Sequence, residues 1–442
     1  MHPLKLPIKG EINFDIYGGD EYFFYDLDAD GSMEIISYQG PATLGSKMYS
    51  AIPDISSYLP HNTSLSAFRL DGTRLWTWGK PYNETLPHVS HAYESTVSIA
   101  DIDGDGICEV VLADGNRLVI LNGINGTEKN VVSLEHDNYY IVQAINGPLK
   151  PDEAVIVIKN GEGGYEPWNY SEPVVGFNSH LQPVWGPLRI TGGGHHILAM
   201  DINHDSELEY LIGYCLLKAN GKILWTVDSV VPENCRQLPQ HVDYTSYFMK
   251  NDGQYMLALA GSERAYLVTE NGKTKFSRPD THPQGAALGR FRTDSEYQAA
   301  FYNAPDGPMV LFDSNGTELW RNNTPRKWPA GLQSCAAQQA SRQPFHRNRP
   351  IVTLKGRHTD WVGYADGGWP WGMDGNGRIE LQFEVPRHAM KTEYNHQFPF
   401  ALRRDDLGFS FALKSLDIFN EEQERPIIYD RKHMWIYGGI VS

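Results

Sequence analysis

One acidic loop occurs three times in the sequence, each time directly after a short apolar strand. The copies read DLDADGSMEI from Asp26, DIDGDGICEV from Asp101 and DINHDSELEY from Asp201. Carboxylates or an amide stand at positions 1, 3 and 5 of each copy, and a Glu follows at position 9. Recurrence of one unit at intervals of tens of residues is typical of a solenoid or a propeller. The chain is therefore predicted to be a repeat protein.

The same loops are predicted calcium sites. Hard oxygen donors at alternate positions of a tight loop can surround one Ca²⁺, with carbonyl groups completing the shell. The third copy is the weakest match, because it has an Asn at position 3 and lacks the Gly at position 6. The predicted ligands are Asp26, Asp28, Asp30 and Glu34, then Asp101, Asp103, Asp105 and Glu109, then Asp201, Asn203, Asp205 and Glu209.

Seven short hairpins mark the ends of the repeats. They read DGTRLWTW, NGTEKNVV, NSHLQPVW, NGKILWTV, NGKTKFSR, SNGTELWR and NGRIELQF, from Asp71, Asn125, Asn178, Asn220, Asn271, Ser314 and Asn376. Asn-Gly and Asp-Gly favour the positive φ of a type I′ turn, so each segment predicts a hairpin leading into an outer strand. The spacing of roughly 40 to 60 residues fits four-stranded antiparallel blades. The predicted fold is an all-β, seven-bladed β-propeller that occupies residues 1–442 as one domain.

Composition limits the partners. The 442-residue chain is 41% apolar and 12% aromatic, which suits a large core between blades. Its net charge of −16 argues against nucleic acid, whose binding requires basic surfaces. An acidic substrate would need a local cationic pocket. No apolar run reaches the length of a membrane span, so we expect no membrane contact, and we expect a monomer.

The glycosylation motifs favour secretion. Six Asn-x-Ser/Thr sequons predict an extracellular glycoprotein, and the start of the chain, which has no signal-peptide core, is interpreted as that of a mature protein. The sequons are at Asn62, Asn83, Asn125, Asn169, Asn315 and Asn322.

The four cysteines fit an oxidising compartment. Cys215 and Cys235 could form a disulfide, and Cys108 is predicted to be a buried thiol. The sequence has no CxxC, so neither zinc binding nor thiol redox chemistry is indicated.

Histidines precede the same apolar strands that the acidic loops follow. His88 and His91 stand before the strand that leads to Asp101, and His195 and His196 before the strand that leads to Asp201. A strand of about six residues separates its two ends by about 20 Å. Histidines and calcium are therefore predicted on opposite faces, which makes the calcium structural.

Further residues of the predicted histidine face are His241, His282, Arg189, Arg236, Tyr244 and Tyr247. For each one alone, capping a strand or holding neighbouring blades together is the alternative role. Two Gly-rich insertions add the aromatic residues Tyr165, Trp168 and Trp369, which either pack between blades or offer flat surfaces to sugar rings.

The motifs together resemble one family. The acidic loops, HAYESTVSIADIDGDGICEVVLADG from His91 to Gly115, and GGGHHILAMDINHD before NGKILW are similar to the calcium-containing seven-bladed propeller polysaccharide lyases. These include ulvan lyases and the fungal rhamnose-α-1,4-glucuronate lyases that act on arabinogalactan side chains. Sequons and size favour the fungal branch. The resemblance implies a secreted carbon-oxygen lyase acting on a polysaccharide with uronate and rhamnose, such as gum arabic.

The resemblance implies β-elimination, in which side chains and not a metal neutralise the uronate carboxylate. Removing the C5 proton needs a cation beside the carboxylate, a base, and an acid for the departing O4. The candidate base is His88 or His91. Carboxylate neutralisation is assigned to Arg189 or Arg236 with one of His195 and His196, and Tyr244 is the alternative acid. The candidate substrate-binding residues are Tyr165, Trp168, His241, Tyr247, His282 and Trp369.

Two other functions remain open. One is a non-catalytic lectin or adhesion propeller that binds glycans through its aromatic residues, although such a protein needs no clustered imidazoles beside arginine. The other is a quinone-dependent dehydrogenase, which the irregular Trp repeat and the different type of calcium loop disfavour.

Overall fold

The computed structural model describes residues 4–19, 21–39, 63–81, 96–136, 139, 141–160, 167–168, 171–231, 240–303, 308–322, 351–365, 370–386, 412–430 and 432–440. These residues form eight antiparallel sheets, numbered blade 1 to blade 8 in chain order. In each blade the chain passes from the first strand to the fourth through neighbouring positions, except that blade 8 takes its fourth strand from the start of the chain. The architecture is a β-propeller.

The strand bounds of the first four blades are as follows. Blade 1 has Glu21–Tyr25, Glu34–Gln39, Ser64–Arg69 and Arg74–Gly79, and blade 2 has Val97–Ala100, Glu109–Asp114, Arg117–Asn122 and Glu128–Ser133. Blade 3 has Ile141–Ala144, Ile156–Lys159, Val174–Phe177 and Pro183–Leu188, and blade 4 has Ile197–Met200, Glu209–Ile212, Cys215–Lys218 and Ile223–Thr226.

The remaining blades complete the ring. Blade 5 has Val242–Met249, Tyr255–Gly261, Arg264–Thr269 and Thr274–Pro279, and blade 6 has Pro283–Gly289, Gln298–Asn303, Met309–Phe312 and Glu318–Asn322. Blade 7 has Ile351–Leu354, Trp361–Tyr364, Trp371–Met373 and Ile379–Phe383, and blade 8 has Ala412–Leu416, Arg425–Tyr429, His433–Tyr437 and Ile8–Asn13. A further strand, Leu4–Leu6, pairs in parallel with the fourth strand of blade 7.

The expected count of seven blades was wrong. All seven hairpins of the sequence repeat do lead into the fourth strands of blades 1 to 7. Blade 8 has no such hairpin, because its fourth strand is Ile8–Asn13, which pairs antiparallel with His433–Tyr437. A count of hairpins within the chain therefore misses the blade that joins the two ends.

Aromatic rings in the fourth strands link successive blades. The indole N–H groups of Trp76, Trp185, Trp225 and Trp320 donate hydrogen bonds to carbonyl oxygens of the next blade at 2.7, 2.7, 3.0 and 3.1 Å. Each indole ring also packs on the glycine of the hairpin turn in the next blade. Phe276 of blade 5 packs on the turn glycine of blade 6 in the same way. A Cβ on these glycines would lie between 2.5 and 3.1 Å from the ring. The repeat is irregular, as expected, because four fourth strands carry the Trp, blade 5 has Phe276 in its place, and the fourth strands of blades 2, 7 and 8 contain no Trp. These rings serve blade packing.

The core lies between blades. The second strands are almost continuous apolar runs, such as Val110, Val111 and Leu112, all fully buried, because neighbouring blades cover both sides. Fourth strands are more exposed, and Glu128–Ser133, for example, has only exposed and half-buried positions, as expected for an outer strand that faces water. Among the described residues the only helical element is the 3₁₀ turn Asp15–Tyr17, and none forms a helix long and apolar enough to cross a membrane.

The topology separates two faces of the ring. The face at which first strands begin is called the histidine face, because His195, His196, His241 and His282 stand at or just before such beginnings. The opposite face, where first strands end, carries all three acidic loops and is called the acidic-loop face. The described chain thus places these histidines and the acidic loops at opposite strand ends, as the sequence predicted.

Candidate functional site

The histidine face brings blades 4 and 5 into close contact at a glycine-rich turn. Gly194 has a φ of +61°, and a Cβ on it would lie 1.8 Å from the carbonyl oxygen of Val242. The His195 N–H donates to that oxygen (3.2 Å), and the Val242 N–H donates to the Gly192 carbonyl (3.2 Å). Only glycine permits this approach. The GGGHH motif therefore sets His195 against the first strand of blade 5.

His195 and His241 share one buried carboxylate. The Nε2 atoms of both rings lie 3.2 Å from Oδ1 of Asp243, and the ring centroids are 5.0 Å apart in an edge-to-face arrangement. His195, His241 and Asp243 are only 3%, 8% and 4% exposed. Although burial opposes ionisation, the two imidazoles hold the pKa of Asp243 far below its usual range. The carboxylate is thus charged at any physiological pH.

Asp243 was missed from the sequence. Its signal is the QHVDY segment, where an Asp two residues after a His projects from the same side of a strand. The ladder between the first two strands of blade 5 shifts register between Val242 and Tyr244, so Asp243 sits at a bulge. Bulges redirect side chains and are frequent beside functional sites.

His196 is turned away from the shared carboxylate. The Thr245 N–H donates to His196 Nε2 at 3.1 Å, so this nitrogen carries no proton and is occupied as an acceptor. The ring also packs against Tyr244, with centroids 5.0 Å apart. This contact joins blades 4 and 5 and orients the phenol.

His282 is the most accessible of the four histidines that define the histidine face. Its Nδ1 donates to the Ser262 carbonyl at 3.0 Å, which leaves Nε2 as the basic nitrogen of the neutral ring. The ring is half-buried and its centroid lies 6.5 Å from that of His241. Its tautomer and exposure suit a general base.

A buried lysine supports the glycine turn. Lys159, at the end of the second strand of blade 3, is fully buried and donates to the carbonyl oxygens of Asn160 (2.8 Å) and Gly194. Burial lowers the pKa of Lys159 to about 7. The sequence shows it only as a Lys ending the apolar run IVIK, and its role was not foreseen.

Arg189 is held at the rim of the face. Its guanidinium pairs with Glu172 Oε2 at 2.9 Å and donates to the Pro167 carbonyl, and it lies 5.0 Å from the ring centroid of Trp168. Two predicted site residues, Arg189 and Trp168, are therefore brought together. Glu172 already balances the arginine charge.

Not every predicted residue lies at this face. Tyr247 is half exposed and packs against Tyr255 (6.0 Å), which in turn stacks on His204 of the third acidic loop (5.2 Å). It belongs to the far end of its eight-residue strand, so its assignment to the histidine face was wrong. The predicted site residues His88, His91, Tyr165, Arg236 and Trp369 lie outside the described residues.

A cavity of about 410 Å³ runs between the first strands, and Tyr244 lies on its wall. Lys414 brings a cation to the same wall, where it pairs with Glu21 at 2.5 Å. No sequence motif marks this lysine. First strands of six blades line the cavity, with Phe23, Ser98, Gln143, Tyr244, Thr353 and Lys414 among the wall residues.

The three acidic loops share one backbone arrangement. The first Asp of each accepts amide hydrogen bonds from the loop: Asp26 from Gly31 at 2.9 Å, Asp101 from Gly106 at 2.9 Å, and Asp201 from the residue at the same position at 3.0 Å. The terminal Glu folds back onto the amide after the first Asp in every loop, at 2.9 to 3.2 Å. The three acidic loops are thus repeats in structure as well as in sequence.

The loops differ in the cation that faces them. In blade 2 the Lys129 ammonium lies 2.9 Å from Asp103 and 2.6 Å from Glu109, contacts that raise its pKa although burial opposes the charge. In blade 4 Lys218 approaches only the outer carboxylates, and Asn203 donates an amide N–H to Glu209 at 2.9 Å.

The blade 1 loop gathers carboxylates of the kind that calcium prefers, and the blade 2 loop gathers the equivalent Asp101, Asp103 and Glu109 around Lys129. Ligand atoms of Asp26, Asp28 and Glu34 lie within 4.8 Å of one another. Among the described residues no Lys or Arg forms an ion pair with these three. Burial, and to a smaller extent the neighbouring Asp carboxylates, raise the pKa of Glu34. Carboxylate oxygens in such a loop fit a hard divalent cation.

The two described cysteines are buried free thiols. Cys108 is as expected, and Cys215 lies 3.3 Å from the Thr226 hydroxyl. Cys215 is therefore not in the disulfide that its spacing allowed, and Cys235 lies outside the described residues.

The sequence matches no protein-family profile and no curated protein. The fold is similar to solved structures. Exotype rhamnogalacturonan lyase YesX superposes with a TM-score of 0.63 at 14% identity, covering 100% of this chain and 76% of that one. Rhamnogalacturonan lyase PL11 of Bacillus licheniformis gives 0.59 at 13% identity, covering 96% and 72%. BamB from Moraxella catarrhalis gives 0.52 at 15% identity, covering 97% and 96%. At these identities the likeness establishes the propeller fold.

Proposed function

We propose that the protein is a polysaccharide lyase that cleaves a uronate-containing polymer by β-elimination. The observation that carries the proposal is the gathering of imidazoles and a phenol at the starts of the first strands of blades 4, 5 and 6. The likeness in fold to rhamnogalacturonan lyases adds support. A purely glycan-binding propeller has no need of such a cluster.

The elimination needs three groups. A base takes the C5 proton, the C5 electron pair forms the C4=C5 double bond, and the C4–O4 bond breaks as O4 leaves with a proton from an acid. A cation must offset the charge that builds on the uronate carboxylate. Atoms and electrons balance without any further reactant.

The described residues can fill these roles. His282 is the candidate base, with His88 or His91 as the alternatives outside the described residues. Tyr244, on the cavity wall, is the candidate acid, and Lys414 is the cation nearest to it on that wall. Arg189 and Trp168 at the rim offer a flat surface that suits a sugar ring.

The substrate class is proposed from shared chemistry. Rhamnose-glucuronate side chains and rhamnogalacturonan both combine rhamnose with a uronate. The protein has eight blades, whereas the lyases that the motifs resemble have seven. The substrate of those lyases is therefore not assigned to this protein on the motifs alone. We propose that the substrate is an acidic polysaccharide that contains both rhamnose and a uronate. In keeping with the glycosylation sequons, we propose that the protein acts on it outside the cell.

Calcium is proposed as a structural ion in the blade 1 loop. There it would neutralise the carboxylates of Asp26, Asp28 and Glu34 and fix the end of the first strand. It would lie at the acidic-loop face, at the opposite strand end from the histidines, so no step of the elimination passes through it.

The test measures the ultraviolet absorbance of unsaturated uronate during incubation with gum arabic, rhamnogalacturonan or ulvan. We expect a gain on at least one polymer. Tyr244→Phe and His282→Ala should each lower kcat/KM by about 10² to 10⁴-fold, the usual contribution of a general acid or base. Tyr255→Phe and His204→Gln, at the acidic-loop face, serve as matched controls and should keep full activity.

Absence of any absorbance gain on all three polymers would refute the proposal. Glycan binding without such a gain would instead identify a binding module. Full activity in both Tyr244→Phe and His282→Ala would show that the reaction takes place elsewhere.

A further inference from the structure

We propose that His195, His241 and Asp243 bind one first-row transition-metal ion, with Zn²⁺ as the expected occupant. This site is separate from the acidic loops and has a different donor chemistry. It was not foreseen from the sequence, where the lack of a CxxC motif argued against zinc.

The distances between the three side chains match a metal shell. Each of the two imidazole Nε2 atoms lies 3.2 Å from Asp243 Oδ1, and the ligand atoms of all three residues lie within 4.8 Å of one another. Zn–N bonds of about 2.0 to 2.1 Å in a tetrahedral site place neighbouring ligand atoms about 3.3 Å apart. One ion can therefore bind all three with small side-chain movements.

The shared carboxylate is incompletely satisfied. Oδ2 of Asp243 is buried and has no hydrogen-bond partner among the described residues. A buried carboxylate is costly unless a cation or several donors offset its charge. A divalent ion that also binds two imidazoles would supply that charge.

The donor set selects the class of metal. Two imidazoles and one carboxylate suit Zn²⁺ and its neighbours, whereas Ca²⁺ prefers an all-oxygen shell. Three protein ligands also leave a fourth position for water or another ligand, as in zinc sites that are not purely structural.

Rigid backbone holds the ligands in place. Gly194 and the contact with Val242 fix His195, and the Ser262 hydroxyl accepts the His241 backbone N–H at 2.8 Å. The same hydroxyl lies 3.5 Å from His241 Nδ1, where it can orient the ring. Partners on the second imidazole nitrogen are a regular feature of metal-binding histidines.

The experiment measures metal content of the full chain after incubation with Zn²⁺ and removal of the excess. We expect about one equivalent of zinc that EDTA removes, with a fall in thermal stability on removal. His241→Gln and Asp243→Asn should lose this equivalent. His204→Gln, which alters an exposed histidine at the acidic-loop face, and Asp28→Asn, which alters the calcium loop, should retain it.

Spectroscopy on the unaltered protein tests the site even if a variant fails to fold. Extended X-ray absorption fine structure at the zinc edge should show two imidazole nitrogens and oxygen in the first coordination shell. The proposal is overturned if the protein retains only substoichiometric zinc, if the shell lacks imidazole, or if folded Asp243→Asn binds zinc as tightly as the parent. None of these measurements uses a polysaccharide, so the result is independent of the proposed lyase activity.

Discussion

Gly194 is the residue at which the contact between blades 4 and 5 can be tested most directly. Gly194 and Gly115 both have a φ of +61°, but a Cβ on Gly115 would meet nothing within 4 Å. For either position, alanine in this conformation costs about 1 to 2 kcal/mol, offset by about 0.4 to 1 kcal/mol from the less flexible unfolded chain. Gly115→Ala should therefore cost about 0 to 1.6 kcal/mol.

Gly194→Ala carries a further cost. Its Cβ would lie 1.8 Å from the Val242 oxygen, a backbone atom that cannot rotate away. The strand must shift, which breaks the His195 to Val242 and Val242 to Gly192 hydrogen bonds. Two buried backbone hydrogen bonds lost at about 1 to 3 kcal/mol each add about 2 to 6 kcal/mol to the cost of the backbone conformation.

The assay is urea unfolding of both variants and the parent, followed by tryptophan fluorescence and circular dichroism. We expect the two alanine variants to differ by at least about 2 kcal/mol in the free energy of unfolding, at similar m-values. Equal stabilities would refute the close approach of the blades. Zinc binding should also weaken in Gly194→Ala alone, because only that change displaces His195.

Three further changes test other parts of the molecule. Lys129→Met removes the ammonium from the blade 2 loop and should add one equivalent of bound Ca²⁺ in calorimetric titration; unchanged stoichiometry would contradict the assigned role of Lys129. Lys159 is deprotonated at about pH 7 when folded but near pH 10.5 when unfolded, so the unfolded state binds more protons between these values. The free energy of unfolding of the parent, compared with that of Lys159→Met, should thus rise between pH 7 and pH 10 by up to about 1.4 kcal/mol per pH unit. A difference in urea unfolding that does not depend on pH would refute the lowered pKa of Lys159. Deleting residues 1–13 should lower the unfolding temperature sharply and expose blade 8 to proteolysis, whereas a protease-resistant deletion would show that blade 8 needs no fourth strand.

The sequence predicts those parts of the fold that rest on local chemistry. Hairpin turns and alternating acidic positions are encoded within a few residues, and all seven hairpins and three loops are found where expected. The blade count failed because pairing of Ile8–Asn13 with His433–Tyr437 joins segments at opposite ends of the chain. A local sequence pattern does not indicate which distant strand a segment will pair with.

The site was predicted in outline but not in its contacts. The face assigned to His195, His196, His241 and His282 follows from strand direction alone and is confirmed by the topology. The partnership with Asp243 depends on a bulge and on a close approach between blades, which are tertiary features. Tyr247 was misplaced because an eight-residue strand carries its later residues to the other face.

The joining of the chain ends also governs how the protein is made. Ile8–Asn13 is synthesised before blades 1 to 7, whereas its partner His433–Tyr437 is synthesised after them. Until His433–Tyr437 has been synthesised, Ile8–Asn13 has no sheet to enter. Unpaired edges recruit other strands, so the nascent chain carries an association hazard that the finished ring has removed. A circular permutant of residues 1–442 that links residue 442 to residue 1 and opens the chain between two other blades would synthesise blade 8 in one piece.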